Sequence, residues 1–196
     1  MDESIKLYFF DLKKLDLEKN IPFLLEEDIQ KSKRYKMEIN QKQHLVSAYL
    51  KRRFVGDFSI DEKGKPYSTN CFFSVSHSNE MVVLAISFHH PVGVDVEEIK
   101  ETKENLRAFV SSKKEYEYIK DNKNFFEIWT SKESLAKASG LGLSDIKNIP
   151  ALPLDGLKEY KKKTYRSKII YLDNYVISIT REKESDMTID KIEVTI

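Results

Sequence analysis

Two short stretches carry the residues best suited to chemistry. In Gly93-Val94-Asp95-Val96-Glu97 an extended chain alternates its side chains, so Asp95 and Glu97 share one face while Val94 and Val96 point into a core. Carboxylates held that close repel each other unless a cation lies between them, and for oxygen ligands that cation is usually Mg²⁺. The plainer reading of a lone D-x-E is an exposed strand face on a highly charged chain. The second stretch runs from Trp129 to Leu143; its first twelve residues are helical in character, with Gly140 as the stop. Trp129, Glu133 and Lys137 recur every fourth residue and share one helix face. Together with Asp95 and Glu97, Glu133 completes a three-carboxylate metal site, and Lys137 adds a cation for a phosphate. As one of several mutually repelling acids, Asp95 is expected to stabilise the metal-free fold little.

The elements that must position these groups follow from periodicity and turn residues. Residues 5–12 read as a first strand, and Pro22 opens a helix over Phe23, Leu24 and Leu25 that continues into the basic run Lys31, Lys33, Arg34 and Lys36. From Gln41 to Val55 an apolar stripe marks an amphipathic helix stopped at Gly56, with His44, Lys51, Arg52 and Arg53 on its polar side. Gly64-Lys65-Pro66 is a turn between two short strands. Residues 71–75 form a strand ending at Ser76-His77-Ser78, 81–88 form another, and His89 and His90 are turn residues. Short helices are expected over 105–110 and 113–120, the second opened by a capping box of Ser112 and Glu115. Asn124 with Glu127 caps the motif helix, and 141–157 is a loop. A hairpin turns at Asp173-Asn174, 191–196 is a last strand, and the basic run Lys158 to Lys168 reads as an exposed edge. Without regular strand–helix alternation the class is α+β.

Composition excludes several functions. The 196 residues suit one domain or two small lobes, and 33 basic against 32 acidic residues give a net charge of +1, with no bulk pull toward nucleic acid or membrane. Cys71 is the one cysteine and lies in an apolar run, which fits a core position in a reducing compartment. No basic segment precedes a long apolar one, and no run of eighteen apolar residues occurs, so a soluble cytoplasmic protein is expected.

The pairing of G-V-D-V-E with W-T-S-K-E-S-L-A-K-A-S-G-L-G-L closely resembles the 4′-phosphopantetheinyl transferases, in particular the two-lobed type that activates peptide synthetases. Phe73-Ser74-Val75-Ser76-His77-Ser78 and Gly64-Lys65-Pro66 match as well, and the resemblance runs in order from about Asp28 to Leu143. It implies two similarly folded lobes, 1–91 and 92–196, with the active site in the cleft between them, although no internal repeat is visible. It implies transfer of the 4′-phosphopantetheine arm of coenzyme A to a serine of an apo acyl or peptidyl carrier protein, with release of adenosine 3′,5′-bisphosphate. Mg²⁺, or Mn²⁺ in its place, would be held by Asp95, Glu97 and Glu133. The catalytic residues would be Asp95, Glu133 and Lys137. Coenzyme contacts would come from Lys31, Lys65, Ser76, His77, Lys132 and Lys137, and from Gln43, which stands where the family has an arginine for the 3′-phosphate. The connection over 103–123 would help to receive the carrier protein, and the enzyme would be a monomer. Two rivals remain: another Mg²⁺-dependent phosphoryl or nucleotidyl transferase, and a non-catalytic module that binds carrier proteins.

Overall fold

The structure is a computed structural model that describes residues 3–16, 21–62 and 64–196. The described residues form ten strands and five α-helices, with shorter helical turns between them. One four-stranded sheet contains β1 (Ile5–Asp11), β4 (Phe72–Ser78), β5 (Met81–Ser87) and β10 (Ile189–Glu193) in the order β10-β1-β5-β4. The second contains β6 (Val92–Glu98), β7 (Gly156–Tyr160), β8 (Lys163–Leu172) and β9 (Tyr175–Arg181) in the order β6-β9-β8-β7, antiparallel throughout. A small hairpin, β2 (Ser59–Ile60) with β3 (Pro66–Tyr67), stands apart from both sheets. The α+β class is as expected.

Alternation along β5 explains how the layers stack. Val82, Leu84 and Ile86 pack on Val46 and Leu50 of α2 (Glu38–Leu50), while Met81, Val83 and Ala85 pack on Val94, Val96, Ile177 and Ile179 of the second sheet. A strand covered on both faces reads as a continuous apolar run, and every residue of β5 is buried. On the far side of the second sheet lies α5 (Asn122–Ser139), so the order through the molecule is helix, sheet, sheet, helix. The remaining helices, α1 (Glu26–Ser32), α3 (Glu104–Val110) and α4 (Lys113–Tyr118), lie in the connections.

Several boundaries differ from the sequence expectation, each for a local reason. Pro22 and Phe23 form a turn, with Phe23 at φ +67°, and α1 begins only at Glu26, where Asp28 reaches back to the Leu25 N–H. The polar end of α2 does not stop at Leu50 but widens into π turns over Lys51–Val55 before Gly56 ends it at φ +81°. The segment Ser76-His77-Ser78 lies inside β4 rather than beyond its end. Helix α5 starts a turn earlier than expected, capped by Asp121, which accepts from the Asn124 N–H; Glu127 instead accepts from the hydroxyls of Tyr118 and Tyr171. The chain crosses from the first sheet to the second at Pro91, between β5 and β6, but β10 returns to pair in parallel with β1. A cut at Pro91 therefore separates β10 from the sheet it completes.

Candidate active site

The site begins with a glycine. A Cβ on Gly93 would lie 2.0 Å from the Ser134 carbonyl oxygen and 2.5 Å from the Ala138 nitrogen, so only a residue without one lets the backbone of α5 rest directly on β6. Below that contact the helix is fixed by buried hydroxyls: Ser134 Oγ lies 2.8 Å from both Ser178 Oγ and Thr180 Oγ1 on β9. The close approach turns the Trp129–Glu133–Lys137 face onto the carboxylates of β6.

Asp95 is 4% exposed. Its Oδ1 accepts from Ser76 Oγ at 2.7 Å and from Lys137 Nζ at 2.7 Å, while its Oδ2 is buried with no hydrogen-bond partner. This corrects the expectation that Asp95 contributes little to the metal-free fold, because it is the ion-pair partner of a half-buried lysine. Glu97 accepts from Ser78 Oγ at 2.6 Å, and the Trp129 indole on the facing helix also favours its charged form. Burial, and then the charge of Asp95, raises its pKa against both. Glu133 is pushed up to about 7, first by burial and then by Asp95 and Glu97, with Lys137 opposing. The charge of Asp95 thus raises the cost of ionising both Glu97 and Glu133, and Glu97 adds to that of Glu133. Among the described residues no group of three Asp, Glu, His or Cys side chains already encloses a metal position. The donor set is nevertheless all oxygen, carries more negative charge than Lys137 neutralises, and includes the unpartnered Oδ2. That is the chemistry a hard divalent cation fits.

Two cavities meet at Lys137. The first, about 460 Å³, is lined by Lys65, Phe73, Glu133, Gly140 and Leu141 among others. The second, about 520 Å³, is lined by Gln43, His44, Lys51, Ser76 and His77 among others. Lys65 on the small hairpin donates to the Lys137 carbonyl at 3.0 Å, beside Gly140, the left-handed residue that ends α5 at φ +72°. Gln43 is buried in the wall of the second cavity and its amide donates to the Asn79 carbonyl at 2.8 Å. His44 Nε2 and Ser47 Oγ are buried there without partners. Desolvation lowers the pKa of His44, and it lowers that of Lys51 as well. Lys31 is exposed on α1, 3.7 Å from Glu27, and its charge reaches His44 and Lys51. The structure therefore brings together Asp95, Glu97, Glu133, Lys137, Lys65, Ser76, His77 and Gln43.

Lys132 is not brought there, and the expected coenzyme contact is corrected. It is fully buried on the opposite side of α5, where its ammonium donates to the carbonyls of Ile146, Lys147 and Ile149 and pairs with Glu115 at 2.9 Å. Glu115 thus joins the capping of α4 to the loop under α5. Lys158, read as part of an exposed edge, is also buried, with its ammonium on Ser131 Oγ and its pKa lowered to about 7 by burial.

Residues 91–180 match the family model described as the 4′-phosphopantetheinyl transferase superfamily. That match takes in 90 of the 196 residues. Both stretches that carry the acids lie within the transferase match, whereas Lys31, Gln43, Lys65, Ser76 and His77 precede it. Among curated relatives, 4′-phosphopantetheinyl transferase gsp of Aneurinibacillus migulanus is 40% identical over 93 residues, which is 44% of this chain and 39% of the relative. The transferase Sfp of Bacillus subtilis (strain 168) is 33% identical over 125 residues, 57% of this chain and 52% of the relative. The transferase psf-1 of Bacillus pumilus is 26% identical over 166 residues, 71% of each. The chain spans about half the length of the first two.

Proposed function

We propose that the protein transfers the 4′-phosphopantetheine arm of coenzyme A to a serine of an apo acyl or peptidyl carrier protein. The observation that supports this most is the meeting of Asp95 and Glu97 from β6 with Glu133 and Lys137 from α5, where the two cavities join. Asp95, Glu97 and Glu133 would hold Mg²⁺, or Mn²⁺, whose contribution when bound is to neutralise pyrophosphate charge. The chain's own residues do the rest. Lys137 turns from Asp95 toward the transferring phosphoryl group and stabilises its charge, while Lys65, Ser76 and His77 orient the coenzyme phosphates. Glu133 takes the proton of the carrier serine, directly or through water. As that serine oxygen bonds to the β-phosphorus, the bond to the bridging oxygen breaks and adenosine 3′,5′-bisphosphate leaves.

The enzyme reads best as a cytoplasmic monomer of two lobes around the cleft. Incubation with coenzyme A, Mg²⁺ and a panel of apo carrier proteins should add the mass of the phosphopantetheine arm to a carrier serine. A different phosphoryl or nucleotidyl transfer would release no adenosine 3′,5′-bisphosphate, and a binding module would hold carriers without modifying them.

A further inference from the structure

Strands β4 and β6 are edges of different sheets and share no main-chain ladder, yet they lie side by side. Serine hydroxyls at every second residue of β4 join them. Ser74 Oγ accepts the Val94 N–H at 3.1 Å, Ser76 Oγ donates to Asp95, and Ser78 Oγ donates to Glu97 Oε2 at 2.6 Å while accepting the Glu98 N–H at 3.2 Å. A hydroxyl has one proton, and a backbone N–H can only donate, so the Ser78 proton has its direction fixed by Glu98 and points at Glu97. Ser78 is 7% exposed and lines neither cavity beside Lys137, so it is placed to act on Glu97 and not on a substrate. The turn that follows it is held in turn by Gln43, through the Asn79 carbonyl.

We propose that Ser78 is a positioning residue for the acidic site: it holds the Glu97 carboxylate in one orientation and sets the register of β6 against β4. This rests on the function proposed above, because Glu97 matters as a ligand only if the three acids bind a divalent cation. A carboxylate relieved of such a hydrogen bond must be reordered each time it binds metal, and loss of an outer partner typically costs about 10- to 100-fold in metal affinity.

The test is Mn²⁺ binding followed by electron paramagnetic resonance, with coenzyme A present, in wild type, Ser78→Ala, Ser78→Thr and Ser78→Val. Ser78→Ala should bind Mn²⁺ about 10- to 100-fold more weakly. Ser78→Thr, which keeps the hydroxyl, should stay close to wild type, and Ser78→Val, of the same shape without it, should follow alanine. The KM for coenzyme A at saturating metal should not move. If Ser78→Ala does not fold, the Thr and Val pair carries the comparison alone. Equal Mn²⁺ affinity in Thr and Val variants overturns the proposal while leaving the site intact. Absence in the wild type of any Mn²⁺ site that Asp95→Asn abolishes overturns the metal-site reading itself, and this inference with it.

Discussion

At the scale of single residues, the four charged groups differ in what they do for the empty protein, and that difference is measurable. Asp95 is paired with Lys137, so Asp95→Ala should lower both turnover and melting temperature, because it leaves a half-buried ammonium without its carboxylate. Glu133 is the reverse case. Its pKa is raised to about 7, so the wild type loses stability as pH rises from the ordinary carboxylate range through 7, and Glu133→Gln removes that loss. The variant should melt higher than wild type at pH 7.5, the two should converge near pH 4, and turnover should fall by roughly a hundredfold or more. Calorimetry at the two pH values, with a carrier-loading assay beside it, checks both halves. Gln43 gives a third outcome. Gln43→Arg keeps a donor for the Asn79 carbonyl and places a cation at the second cavity, so the KM for coenzyme A should fall by about tenfold. The KM for dephospho-coenzyme A, which lacks the 3′-phosphate, should not change.

Among the elements, α5 and β6 were legible because their chemistry lies in spacing: acids two apart on a strand, and acid and lysine four apart on a helix. The cost of bringing them together was not legible, because it depends on which backbone faces Gly93. Gly93→Ala should destabilise by about 3 kcal/mol and also abolish turnover, since the methyl can be accommodated only by lifting α5 off β6. The lysines differ from expectation for a related reason: the resemblance puts Lys132 at the coenzyme and the basic run puts Lys158 on an exposed edge, but both are buried because the 141–157 loop and β7 close over α5. The alternation Ser74, Ser76, Ser78 was visible, but its partners lie on another sheet. Lys158→Met should stabilise the protein by about 1–4 kcal/mol. With a folded pKa near 7 against an ordinary lysine value when unfolded, Lys158 destabilises the wild type fully below pH 7 and less as pH rises above it. The gain in the methionine variant should therefore be largest at pH 6 and shrink by pH 10, as denaturant titrations at the two values would record.

For the whole molecule, the decisive feature is the return of β10 to β1, which pairs Ile5 with Ile189. During synthesis, the first sheet has no complete form until residues 189–193 have left the ribosome, so β1, β4 and β5 must wait for a partner about a hundred residues further along the chain. The acidic site is also completed late, because Glu133 and Lys137 lie on α5, which is held by Ser178 and Thr180 of β9. Fragments 1–91 and 92–196 made separately should each be poorly folded, and mixing them should restore structure only when the second carries residues 189–193. A chaperone or protease surveying nascent chains would meet this protein with its future active site still open.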